Sequence, residues 1–166
     1  MIKNFRETHM TAWPEEDHAL LQPILTRLNV LIPEVDTQTH LLHLSSSGEI
    51  LPHVDNLDAS GSWILGISLG SSRVMRIESP ANDADTFDIL LPSGSVYIQR
   101  HVALIGENYD ADRTYRDKLR YKYRHSILKN DTFRDGVPTG GQRISIMIRV
   151  LVPSSVAFRG CLLNFP

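Results

Sequence analysis

The stretch GQRISIMIRVLV, residues 141–152, alternates with period two: Ile144, Ile146, Ile148 and Val150 take one face, and Arg143, Ser145, Met147 and Arg149 the other. That period belongs to a β-strand, whose successive side chains point to opposite sides of a pleated backbone. Two arginines six positions apart therefore project the same way across a serine. If that face looks into a barrel, each guanidinium needs an anionic partner, because a buried, unpaired charge is prohibitively unfavourable. The carboxylate of a bound small molecule can supply one bidentately. On an outward face the same arginines would simply be solvated.

Working outward from this strand, the runs HLLHLSS, SWILGISLG, RVMRIE, TFDILLP and SVYIQR share its texture, and Gly61, Gly70, Pro80, Pro92-Ser93-Gly94 and Gly140-Gly141 punctuate them. Ahead of them, WPEEDHALLQPILTRLNVLI sets Leu20, Leu21, Ile24, Leu25 and Leu28 at helical spacing behind an acidic start, with Pro23 expected to kink or split the helix. Many short strands behind one amphipathic helix predict a mainly β fold, a sandwich or jelly roll with the helix packed on the outside of the sheet. The expected organisation is a single domain over residues 1–166: a helical segment 1–38, a core 39–153 and a tail 154–166.

A chain of 166 residues with 42% hydrophobic and 22% charged content can bury a real core, which excludes a disordered chain. Its net charge of −2 gives no global attraction to nucleic acid. Cys161 is the only cysteine, so neither an internal disulfide nor a thiolate metal cluster is expected, and a reducing compartment suits it. The apolar runs fall well short of the ~20 residues of a membrane-spanning helix. The opening MIKNFRETHM has neither the apolar core of a secretory signal nor the acid-free pattern of a transit peptide.

One segment departs from the strand texture. In GENYDADRTYRDKLRYKYR, residues 106–124, Tyr109, Tyr115, Tyr121 and Tyr123 alternate with Arg113, Arg116, Lys118, Arg120, Lys122 and Arg124. Interleaved aromatics and cations can stack bases and neutralise phosphates, so RNA is a candidate partner. The plainer alternative is a solvated excursion whose tyrosines rest on a sheet edge.

The remaining chemistry sits in LPHVDNLD, residues 51–58. On a strand, His53 and Asp55 share a face with Cα atoms ~6.5 Å apart, close enough to converge on one ion. A third ligand must come from elsewhere. His9 and His18 belong to the helical segment and His40 and His43 to the strand before the motif, leaving His101 and His125, between which periodicity does not choose. In SGSVYIQR, Tyr97 shares the more polar face with Ser95 and Gln99, where a phenol could hold the same carboxylate as the arginines.

His-X-Asp, a distal histidine and Arg-X5-Arg on a late strand together resemble the AlkB family of iron(II)- and 2-oxoglutarate-dependent dioxygenases. GEILPHVDN, GISLGSSRVMRI, LLPSGSVYIQR and GQRISIMIRVL are similar to its mitochondrial branch, over a range running from Phe5, through FRETHMTAWPEED, to about Pro153. The resemblance implies a double-stranded β-helix and an iron triad of His53, Asp55 and His125, choosing His125 through YRHSI. It also implies that Arg143 pairs with the distal carboxylate of 2-oxoglutarate, that Arg149 lies near the cosubstrate, and that Tyr97 hydrogen-bonds it. The implied chemistry is oxidation of a C–H bond by O2, by hydroxylation or oxidative N-demethylation, with 2-oxoglutarate becoming succinate. A monomer in the mitochondrial matrix is the expectation, with the cytoplasm as alternative. Ser47 and Glu49 replace aromatic residues of relatives, the 106–124 excursion is long, and the nucleotide-recognition lid is reduced. The first two departures leave the substrate open, whereas the reduced lid favours a protein or metabolite substrate over a flipped base, with N-methyl RNA or a weakly active 2-oxoglutarate-binding module as alternatives.

Overall fold

The computed structural model describes residues 1–56, 61, 63–82, 85–100, 122–129 and 132–151. His101, most of the 106–124 excursion, Cys161 and the tail 154–166 lie outside the described residues. The strand-like runs of the sequence all form strands: β2 (Thr37–His53), β3 (Trp63–Gly70), β4 (Arg73–Glu78), β5 (Thr86–Leu91), β6 (Ser95–Arg100) and β10 (Arg143–Val150). To these are added β1 (Ile2–Met10), β7 (Arg124–Ile127) and a short hairpin of β8 (Thr132–Phe133) and β9 (Val137–Pro138).

The main sheet runs β5-β4-β7-β2-β10-β3-β6, with β1 paired along β2, and every pairing is antiparallel. Strand β2 belongs to both halves of this path. Its first part, Thr37 to Leu44, pairs with β10, whereas Ile50 and His53 pair with β7. Between them the chain passes from one half to the other, and β1 follows it with a register shift at Lys3/Phe5. Asn4 sits there at φ 52°, a left-handed conformation that asparagine tolerates, and its side-chain amide donates to the Ser47 carbonyl at 3.2 Å. Gly48 is required opposite it: a Cβ would stand 2.7 Å from the Asn4 carbonyl oxygen.

The two halves enclose a core in which Leu42, Leu44 and Ile50 of β2 meet Met75 and Ile77 of β4, Leu91, Ile127 and Tyr123, with Tyr97 and Met147 packed against them. This is the expected mainly β double-stranded β-helix. The other face of β3 and β10 carries Trp63, Leu65, Ile67 and Ile148, which the helix α1 (His18–Asn29) covers with Leu28. The helix lies outside the sheet, as expected, but through a narrower stripe. Leu28 is buried and Leu21 and Leu25 are half-buried, whereas Leu20 and Ile24 are 76% and 54% exposed. Pro23 does not split it, because a proline this early removes only one hydrogen bond, to Ala19, from a twelve-residue helix.

Residues 1–38, expected to be helical, also supply the edge strand β1, which places His9 opposite His40 in the ladder instead of in a helix. At its described end the tyrosine-rich segment follows the plainer of its two readings, with a tyrosine packed against the sheet. Tyr123 is 8% exposed, in the core, and its hydroxyl donates to Asp85, while Arg124 pairs with Glu78 at 3.3 Å. Neither is a free base-stacking or phosphate-binding group.

Candidate metal centre and its cavity

Strand β2 runs along the cavity and lines it with Leu42, Ile50 and His53. His53 closes β2 and stands directly opposite His125 of β7 in the ladder, while Asp55 follows two residues on. The Nε2 atoms of His53 and His125 lie 3.5 and 3.7 Å from Asp55 Oδ1, and their rings are 4.3 Å apart. One donor atom from each of the three residues lies within 4.8 Å of the other two. Donors on one transition-metal ion with bonds of ~2.1 Å stand roughly 3.0–3.4 Å apart, so a small contraction closes the set around an ion. The His53 Nδ1–H donates to the Leu51 carbonyl at 2.9 Å, which leaves Nε2 with its lone pair toward Asp55 and His125. When the ring is protonated, its Nε2–H donates to Asp55, and that hydrogen bond, against the opposing effect of burial, raises the His53 pKa above the ordinary histidine range.

The cavity is lined by His53, Asp55, His125, Tyr97, Arg143 and Arg149, so every site residue read from the sequence is brought to one place. Arg143, Ser145, Met147 and Arg149 form the inward face of β10, and the outward Ile148 joins the helix-covered core. Arg143 is 1% exposed; its Nε donates to Ser68 Oγ at 2.8 Å, and its Nη2 is buried without a partner among the described residues. Arg149 Nε is orphaned in the same way. The fully buried Arg73 lies close enough that its guanidinium is held below the usual arginine range, by desolvation first and by Arg143 second. This end of the cavity therefore carries concentrated positive charge and an unmet donor, which an anionic ligand would satisfy.

Tyr97 is positioned by a glycine. Gly66 faces Tyr97 across the β3–β6 ladder, and a Cβ on it would overlap the Tyr97 ring at Cζ and the hydroxyl. The ring thus lies across bare backbone. Alanine at Gly66 should push out the ring tip, the cheapest group to move, with little loss of stability; if Tyr97 holds the 2-oxoglutarate that the sequence resemblance implies, binding of that ligand should weaken. Isothermal titration with 2-oxoglutarate beside a thermal melt checks this; unchanged affinity would remove Tyr97 from the site.

Sequence reasoning passed over two residues. Arg73 opens β4 and turns inward, and Glu7 of β1 lines the cavity. Glu7 Oε1 lies 3.1 Å from Nδ1 of the buried His40, which burial, more than the opposing hydrogen bond to Glu7, holds below the ordinary histidine range. Strong alternation in IKNFRETHM would have revealed β1, but an edge strand exposed on both faces lacks it.

The chain has relatives among known proteins. The chain is 32% identical over 152 residues to alpha-ketoglutarate-dependent dioxygenase alkB homolog 7, mitochondrial, from Bos taurus, and 30% identical to its Mus musculus counterpart. Each alignment covers 90% of this chain and 62% of the relative, so the chain spans less than two thirds of the length of these proteins. In fold it is similar to OsALKBH1 (TM-score 0.54, 14% identity, 90% of this chain and 80% of that one). It is similar also to a Pseudomonas putida prolyl-4-hydroxylase (TM-score 0.50, 13% identity, 88% and 71%). The model of the 2OG-Fe(II) oxygenase superfamily matches residues 2–103, from the edge strand β1 through β6 and across the His53-Val54-Asp55 motif. A barrel of this strand order, matched over more than half its length, makes the chain a member of the 2OG-Fe(II) oxygenase superfamily.

Proposed function

We propose that the chain is an iron(II)- and 2-oxoglutarate-dependent dioxygenase of the AlkB type, with His53, Asp55 and His125 as the metal ligands. The observation that carries the reading is the convergence of these three residues in the cavity that also holds the buried, incompletely partnered Arg143. His53, Asp55 and His125 would hold the ion through two imidazoles and one carboxylate, a donor set suited to iron(II) that would leave positions for 2-oxoglutarate and O2. Iron bound there supplies activation of O2 coupled to decarboxylation of 2-oxoglutarate, inserting oxygen into a C–H bond and leaving succinate. Arg143 would pair with the distal carboxylate of 2-oxoglutarate, using the Nη2 that the protein leaves unpartnered. Tyr97 would hydrogen-bond the same ligand from the Gly66 side, and Arg149 would lie beside it. The apolar lining from Ile50, Ile64, Met75 and Ile127 excludes water from the reacting groups.

As prime substrate we favour a protein side chain or a small metabolite, acted on in mitochondria, the compartment named for the two mammalian relatives. Among the residues before His53, the described elements are two strands, one helix and a short turn, all used in building the barrel and its cover. RNA N-demethylation is the second reading, resting on residues 109–122, since Tyr123 and Arg124 are engaged within the fold. The test is succinate release from 2-oxoglutarate with iron(II) and O2, first with protein alone and then with mitochondrial extract. The expected product is a protein or metabolite gaining the mass of one oxygen. Loss of a methyl group from RNA, with salt-dependent binding that falls when Arg120 and Lys122 are neutralised, would move the assignment to RNA. Absence of succinate under all conditions would refute the dioxygenase reading.

A further inference from the structure

Outside the triad, one cluster of ligating side chains stands out. His9 on β1 is the ladder partner of His40 on β2, and their rings are 3.9 Å apart. Glu7 faces the cavity from the same strand as His9 and reaches His40 Nδ1 at 3.1 Å. One donor atom from each of Glu7, His9 and His40 lies within 4.8 Å of the other two. His40 is 4% exposed, and its Nε2 has no partner among the described residues.

We propose that Glu7, His9 and His40 form a second metal site, which takes a borderline divalent cation of the zinc and cobalt type at the edge of the catalytic cavity. Two imidazoles and a carboxylate suit such ions better than magnesium or calcium, which prefer all-oxygen shells. The 3.1 Å separation of the Glu7 and His40 atoms is already that of neighbouring donors on one ion with ~2.1 Å bonds. A cation held there through His40 Nδ1 also ties the edge strand β1, whose described ladder contacts are to β2 alone, to the barrel wall. The site shares no residue with the triad, so it does not rest on the iron assignment.

Cobalt(II) titration of the full chain, followed by its visible d–d absorption, tests this. The Asp55→Ala protein, whose triad is broken, should still bind one equivalent of cobalt and melt at a higher temperature with it. Adding His9→Ala or Glu7→Gln to that background should abolish both effects. Both residues are exposed on an edge strand, so the double variants should fold, and His9→Gln gives a second, milder removal of the ligand. Failure of Asp55→Ala to take up cobalt, or uptake that survives both His9→Ala and His9→Gln, would overturn the proposal. Uptake lost with His9 and indifferent to Asp55 in the wild-type background would keep this site and refute the triad, so the two assignments fail separately.

Discussion

Alanine at Asp55 should yield a folded protein that no longer binds iron(II) in the catalytic cavity and releases no succinate. Asp55 Oδ1 is the atom on which the other two donors converge, 3.5 Å from one imidazole and 3.7 Å from the other. Without it, two histidines and water remain, a set that any surface pair could offer. Groups that merely support a metal ligand are worth about 10–100-fold in metal affinity, so loss of a ligand should exceed a hundredfold. Stability should change little, because Asp55 lies just beyond the end of β2 and outside its ladder. Anaerobic addition of iron(II) and 2-oxoglutarate, read by visible absorption and paired with a thermal melt, separates the outcomes. An unchanged band in a folded Asp55→Ala protein would mean that the metal sits elsewhere.

The same carboxylate sets a pH dependence. The hydrogen bond to Asp55 raises the His53 pKa, and only the deprotonated imidazole can ligate. Proton and metal therefore compete, and apparent iron affinity should increase with pH until the solution is above that raised pKa. A titration of iron affinity between mildly acidic and neutral pH checks the sign. Affinity that falls across this range would contradict it.

How far the sequence carried the reading depends on what each residue's neighbours revealed. Period-two alternation around Arg143 to Val150 exposed the strand and its inward arginines, because one face lines a polar cavity and the other packs toward the helix-covered apolar core. His53 and Asp55 are two residues apart, so their convergence was a local matter. His125 was not local. It reaches the site through a ladder pairing with His53 across seventy residues of chain, which no periodicity encodes, and family resemblance alone selected it. Edge strand β1 escaped notice because seven of its nine residues are exposed, leaving no apolar face to read. With β1 unseen, Glu7 and His9 had no known neighbours.

Arg73 is the clearest case of a residue whose role the sequence conceals, and its replacement should produce the largest loss of stability. In RVMRIE an arginine opening a strand reads as a solvated end. In the fold it is fully buried, and among the described residues its guanidinium donates to backbone carbonyls. Nε and Nη2 reach Gly141 at 3.1 and 2.6 Å, Nη2 reaches Ser45 at 2.8 Å, and Nη1 reaches Gly48 at 3.2 Å and Leu128 at 2.8 Å, with Lys129 also in contact. Ser45 and Gly48 lie in the crossing of β2 before His53, Leu128 follows His125 and β7, and Gly141 precedes Arg143. One planar group thus pins the three segments that carry His53, His125 and Arg143, the two histidines proposed as metal ligands and the arginine proposed for the cosubstrate. Methionine would fill much of the volume but leave these carbonyls without donors, at about 1–3 kcal/mol for each one that stays buried and unsatisfied. Lysine keeps the charge but concentrates three donors at one point, where the guanidinium spreads five across a plane. Relaxation and water will recover part of the loss, so Arg73→Met should cost roughly 3–5 kcal/mol and Arg73→Lys somewhat less. Urea unfolding measures this directly. Because the pinned segments hold the site, iron affinity in Arg73→Lys should also fall under conditions where the protein is still folded. A variant within ~1 kcal/mol of wild type would show that the carbonyls find water readily and that the clamp is dispensable.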